Sequence, residues 1–215
     1  MSLSVAIVPV TPFAQNCTVV MCNQTKKAAI TDPGGDIELI LEQLKAMDAL
    51  PEKILLTHGH IDHAGASKEL ARILNIPIIG PHKGDLFWLE GLDKQAAMFN
   101  FKQVESFVPD EWLEDGETVT VGDLTLQVIH APGHTPGHVV FYNKENKLAW
   151  VGDVIFQGSI GRTDFPQGNF DQLISSIKNK LFPLGDDITF IPGHGPESTF
   201  GHERQFNPFV SGKHG

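Results

Sequence analysis

His58-Gly59-His60-Ile61-Asp62-His63 places three imidazoles and a carboxylate within six residues, directly after Lys53–Thr57, a segment that reads as a strand. Beyond it, Ala66, Leu70, Ile73 and Leu74 recur at helical spacing. The hexapeptide therefore occupies a loop between a strand and a helix, where rigid scaffolds present catalytic groups. Imidazole and carboxylate are the side chains that hold divalent metals at neutral pH. Spacing of i, i+2, i+4 and i+5 lets one bent loop aim two ligands at one ion and two at a neighbour. Gly59 permits the sharp backbone turn this needs.

Three further segments share this character. Pro132-Gly133-His134-Thr135-Pro136-Gly137, Gly152-Asp153 and Pro192-Gly193-His194-Gly195 each follow a predicted strand. Four such loops at equivalent positions select a metal centre over scattered surface histidines. Of the ten histidines, His82, His130, His202 and His214 lie outside these loops and read as ordinary residues. His138 and Asp32 read as structural, or as supports for the ligands.

Around these loops, Leu3–Val10, Cys17–Cys22 and Lys27–Thr31 read as strands and Asp36–Met47 as a helix, because Ile37, Ile40, Leu41 and Leu44 share one face. Ile76–Ile79 reads as a strand, Lys83–Phe101 as helical with a break near Gly91, and Thr118–Val151 as successive strands. Asn169–Leu181 returns to helix, Ile188–Ile191 is a last strand, and a helix from about Ser198 to Phe206 closes the chain. Two halves of this pattern suggest packed sheets with helices outside, in one domain over residues 1–215.

Composition narrows the function. The chain has 215 residues, 41% hydrophobic and 20% charged, with a net charge of −10. A packed core is expected, and so is no nucleic-acid or membrane partner, because an acidic surface repels phosphate backbones and anionic lipid. No apolar run approaches the ~20 residues that span a bilayer, and no secretory signal is read at the start. Cys17 and Cys22, five apart in one strand, point to opposite faces and read as free, buried thiols. A cytoplasmic protein is expected.

His58-x-His60-x-Asp62-His63 with His134, Asp153 and His194 resembles the ligand pattern of the metallo-β-lactamase fold superfamily. Within it, Gln15-Asn16-Cys17, Asp32-Pro33-Gly34-Gly35, Pro132–His138, Gly161-Arg162-Thr163-Asp164-Phe165-Pro166 and Asn207-Pro208-Phe209 are similar to the short bacterial type II glyoxalases, hydroxyacylglutathione hydrolases without the C-terminal helical domain. The resemblance implies an α/β fold, an αββα sandwich with the site at one edge. It implies two divalent ions, zinc first with iron or manganese as alternatives. His58, His60 and His134 would hold one, Asp62, His63 and His194 the other, with Asp153 bridging. Asp62 would also be a proton acceptor, and Arg162 a substrate contact.

The implied reaction is hydrolysis of a thioester, S-D-lactoylglutathione, to D-lactate and glutathione by a metal-bridging hydroxide, a step in methylglyoxal detoxification. The small-molecule thioester is the expected partner. The chain departs from the longer glyoxalases where Asp164 and Gly195-Pro196 replace tyrosines. Two other functions are compatible with the pattern. One is a mononuclear-iron glutathione persulfide dioxygenase, which would use His58, His134 and Asp153 alone. The other is a non-catalytic metal-binding protein.

Overall fold

Successive residues of the central strands point into different cores, and this alternation builds the layers. In the computed structural model, which describes residues 2–102 and 104–212, strand β2 (Gln15–Cys22) sends Cys17, Val19 and Met21 to one side and Val20 and Cys22 to the other. Its sheet runs β1 (Leu3–Val10), β2, β3 (Lys27–Thr31), β4 (Leu50–Leu55) and β5 (Ile78–Ile79). The first pairings are antiparallel and the last two parallel. A second sheet runs β13 (Ser198–Thr199), β12 (Thr189–Pro192), β9 (Leu148–Gly152), β8 (Val139–Asn143), β7 (Leu124–His130) and β6 (Thr118–Val121).

Val20, Leu55, Leu126, Phe141 and Trp150 pack between the sheets. On the outer face of the first lie α1 (Ile37–Ala46), α3 (Ser67–Leu74), α4 (Leu86–Glu90) and α5 (Leu92–Phe99), contributing Ile40, Leu70, Leu89 and Leu92. On the outer face of the second lie α6 (Phe170–Ser176), its wider-wound continuation Ile177–Leu181, and α7 (Phe200–Phe206), with Leu173, Leu181 and Phe200 against Val140 and Val151. Burial on both faces explains the apolar runs Ile54-Leu55-Leu56 and Val139-Val140-Phe141. This is the expected αββα sandwich. Among the described residues no helix is long and apolar enough to cross a membrane.

Several boundaries differ from the sequence reading. Strand β4 begins at Leu50, not Lys53, and carries Pro51 inside it. The register against β3 shifts there, from Ala28–Pro51 to Ala29–Lys53. Glu52 is thus an extra residue, and the bulge absorbs the amide that proline lacks. Ser198–Thr199 is strand rather than helix, and α7 starts after it, with the Thr199 hydroxyl accepting from the His202 amide as N-cap. A one-turn helix α2 (Ile61–Ala64) and a hairpin of β10 (Ile155–Phe156) and β11 (Ser159–Ile160) were not read from the sequence. Both cysteines are free and buried on opposite faces of β2, as expected. His214 lies outside the described residues.

Candidate metal centre

Every ligand candidate leaves the end of a strand at one edge of the sandwich. His58, His60, Asp62 and His63 follow β4, His134 follows β7, Asp153 follows β9 and His194 follows β12. Backbone bonds lock these ends together across the two sheets: the Val139 amide donates to the Thr57 carbonyl at 2.8 Å, and the Asn16 amide to the Gly193 carbonyl at 2.7 Å.

The side chains converge in two groups. In the first, His60 Nδ1 lies 3.1 Å from His58 Nε2 and 3.0 Å from His134 Nε2. In the second, Asp62 Oδ2 lies 3.1 Å from His194 Nε2 and 3.7 Å from His63 Nε2. Within each group the donor atoms lie within 4.8 Å of one another. Asp153 stands between them, its Oδ1 3.3 Å from His63 Nε2 and its Oδ2 3.6 Å from His134 Nε2 and 3.7 Å from His194 Nε2. All seven residues expected to be ligands are therefore brought together.

The ring tautomers fit metal ligation. His134 Nδ1 donates to the Arg162 carbonyl at 2.7 Å, and His194 Nδ1 to the Phe13 carbonyl at 3.2 Å. His63 Nδ1 donates to Asp32 Oδ2 at 3.0 Å. The Thr57 hydroxyl donates to Asp32 Oδ2 at 2.6 Å, so its lone pair takes the Nδ1 proton of His58 at 3.0 Å. Each bond leaves Nε2 as the ring atom facing the centre. His60 Nδ1 has at most one proton to share between His58 Nε2 and His134 Nε2, each about 3 Å away, whereas a cation among them would satisfy all three nitrogens. His63 Nε2 and Asp153 Oδ1 are likewise buried without a hydrogen-bond partner. The donor set thus fits two divalent ions.

Electrostatically the two groups differ. Burial and neighbouring imidazoles hold His58 and His60 well below the ordinary histidine range, and burial lowers His134 against the pull of Asp153. His63 and His194 are raised: burial opposes their charge, but Asp153 and Asp62 outweigh it. Burial likewise opposes ionisation of Asp62 and Asp153, yet facing imidazoles, His63 first, hold both below the usual carboxylate range.

Asp32 and His138, read as structural or supporting, both touch the ligand set. Asp32 reaches His63 directly and His58 through Thr57, as described above. His138 stacks on His58 at 4.7 Å, and its Nε2 accepts the Asp153 amide at 3.1 Å. Asp85 escaped the sequence reading. It is fully buried, its Oδ2 accepting the Gly59 amide and the Thr135 hydroxyl, each at 2.8 Å, and its Oδ1 the Gly137 amide at 2.6 Å. One carboxylate therefore joins the loop of His58 and His60 to the loop of His134. Burial pushes its pKa up to about 6 against these donors. Its partners are distant in sequence, so no local motif announces it.

Two glycines admit backbone where a side chain would collide. A Cβ on Gly161 would lie 1.8 Å from the Asp153 carbonyl oxygen, and one on Gly193 would lie 2.1 Å from Asp153 Oδ1. The centre opens into a cavity of about 450 Å³ whose wall includes Phe13, Trp88, Phe99, Phe156 and Phe165. Arg162 stands at this wall, with Nε and Nη2 donating to Asp164 at 2.7 and 2.6 Å and its guanidinium 4.2 Å above the Phe165 ring. Away from the centre, His82 stacks on His130 at 4.2 Å and His202 packs on Phe206.

Comparison with known proteins agrees with this geometry. The chain is 44% identical to hydroxyacylglutathione hydrolase GloC of Haemophilus influenzae, over 98% of this chain and all of that protein. Among solved structures, BLEG-1 B3 metallo-beta-lactamase superposes with a TM-score of 0.89 at 36% identity, covering 97% of this chain and 100% of that one. TTHA1623 in a di-iron-bound form superposes with a TM-score of 0.87 at 36% identity, covering 95% and 100%. The sequence pattern of one family matches residues 10–194, spanning every ligand candidate from His58 to His194, and on that match the chain belongs to the metallo-beta-lactamase superfamily.

Proposed function

We propose that the protein is a thioester hydrolase whose substrate is a 2-hydroxyacyl thioester of glutathione, with S-D-lactoylglutathione giving D-lactate and glutathione. The observation that carries this reading is the pairing of two donor groups across one carboxylate, Asp153, at the floor of a single cavity. His58, His60 and His134 would hold one ion, Asp62, His63 and His194 the other, and Asp153 would face both. When bound, two such ions supply hydroxide at neutral pH and polarise an acyl carbonyl. Zinc is the metal we propose, and methylglyoxal detoxification in the cytoplasm the setting. The GloC relative is named for this activity, and two free cysteines suit a reducing compartment.

The chain's own residues then have distinct tasks. Asp32 and Thr57 orient His63 and His58, and His138 holds the Asp153 backbone. Asp62, held ionised by His63 and His194, accepts a proton during turnover. The aromatic wall restricts water around the scissile bond. Arg162 offers a carboxylate of the glutathione portion a planar fork in exchange for Asp164, and this exposed pair exchanges at small cost.

The test is thiol release from S-D-lactoylglutathione by metal-loaded protein, run beside oxygen uptake with glutathione persulfide. Thiol release without oxygen uptake is expected. Oxygen uptake without thiol release would replace this reading with the dioxygenase, and neither activity would leave a metal-binding protein.

A further inference from the structure

The cavity is far more apolar than a lactoyl group requires. Trp88 and Phe165 pack directly on the three-imidazole group: their rings lie 4.6 and 5.0 Å from that of His60, and 6.1 Å from each other in an edge-to-face pair. Nearer the mouth, Phe13 and Phe99 form a second edge-to-face pair at 6.2 Å. Phe13 is 47% exposed and Phe99 38%, large apolar surfaces left to water beside a reaction centre.

Two of the longest polar side chains of the wall, Gln95 and Arg162, are already engaged. Gln95 Oε1 accepts the Ile61 amide at 3.0 Å, and its Nε2 donates to the Trp88 carbonyl at 2.9 Å. Arg162, among the described residues the one cationic side chain other than histidine lining the cavity, is held by Asp164 and lies over Phe165. Next to the three-imidazole group the wall therefore offers mainly the aromatic rings of Trp88 and Phe165, the Trp88 Nε1 donor being buried from the open cavity. An acyl chain is attached to the carbonyl under attack, so it lies against whatever lines the ligands. The longer thiol carrier extends toward the open side of the cavity, where Arg162, Phe13 and Phe99 are exposed.

We propose that Trp88 and Phe165 form an apolar acyl subsite, which makes the enzyme selective for thioesters of aromatic or bulky aliphatic 2-hydroxy acids over lactoyl. This rests on the thioester-hydrolase reading and specifies its substrate class. One buried methylene in an apolar pocket changes specificity by roughly 10–200-fold, so a phenyl ring gives a preference on the order of tenfold even when only partly enclosed.

The experiment compares kcat/KM for S-lactoylglutathione and S-phenyllactoylglutathione on the metal-loaded enzyme. The two substrates share the carrier, the charge and the 2-hydroxyl, and differ by one phenyl group. A ratio of about ten or more in favour of phenyllactoyl is expected, falling toward one in Phe165→Ala with its metal content measured alongside. Hydrolysis of both at a ratio of one or less would overturn the subsite while leaving the thioester-hydrolase reading intact. Hydrolysis of neither would overturn both. A high ratio unchanged in Phe165→Ala and in Trp88→Leu would remove the preference from these two rings.

Discussion

The two donor groups of the centre lie side by side yet are built on opposite electrostatic plans. His58, His60 and His134 are neutral imidazoles, kept so by burial and by one another. Asp62, His63 and His194 form a mixed set in which carboxylates hold protons on the imidazoles. A divalent ion binds the first set without displacing protons, whereas in the second it must displace those held on His63 and His194. The supports differ too: Asp85 ties together the two loops of the imidazole group, while Asp32 reaches one histidine in each group. Equal ligand counts therefore do not make equal sites.

The harshest way to break this comparison is to remove what the two groups share. Asp153→Ala should empty both, lowering turnover on the order of a thousandfold or more, as lost transition-state electrostatics do. Elemental analysis and kinetics on the purified variant check this, and a full metal load with normal turnover would refute the bridging role. Asp62→Ala is more discriminating. Bound metal should fall from two ions per chain toward one, because three imidazoles remain intact, and equal loss from both groups would erase the asymmetry.

The supports sharpen the contrast further. Asp32→Ala should weaken metal affinity in both groups by roughly 10–100-fold, the usual effect of removing a carboxylate behind a ligand. Asp85→Ala should weaken the imidazole group alone, by about tenfold. Competition with a graded chelator would reveal one affected phase or two.

Asp85 also gives a pH signature. Its folded pKa, about 6, is raised above the ordinary value of 3.8. The folded state therefore binds this proton more tightly than the unfolded chain, and stability is lost as pH rises from about 4 through 6. From pH 5 to 7 the loss is on the order of 1 kcal/mol. Asp85→Asn should lack that component, so denaturant unfolding of both proteins at the two pH values should show their stability difference shifting by this amount. The smallest effect is expected outside both groups. Arg162→Ala should raise KM for lactoylglutathione several-fold, with metal content and Tm near wild type, and should barely affect a small uncharged thioester. A comparable change for both substrates, or a large fall in Tm, would assign Arg162 to loop structure.

The seven donors were legible because each follows closely on a strand, and the chemistry of His and Asp survives in one dimension. The layers were legible because Cys17, Val19 and Met21 alternate with Val20 and Cys22. Pro51 misled the reading: proline usually stops a strand, and only the facing register of Ala28 and Ala29 reveals the bulge that admits it. Asp85 was invisible for a related reason. Its partners at Gly59, Thr135 and Gly137 become neighbours only once the two sheets close on one another. The Trp88–Phe165 pair likewise joins residues from opposite halves of the chain.

Gly161 and Gly193 set the terms on which this enzyme can diversify. With the Asp153 carbonyl and carboxylate within 2.1 Å of where their first side-chain carbons would sit, neither position can accept another residue without displacing the centre itself. Phe13 and Phe99, by contrast, have side chains partly in water, and Phe13 supports His194 through its backbone carbonyl, which a side-chain replacement keeps. Heritable variation is thereby channelled: the reacting core is frozen by steric exclusion, while substrate range is adjustable one wall residue at a time. A library restricted to the cavity wall should yield altered selectivity at high frequency, and one spread over the glycine-bearing loops should yield mostly inactive chains.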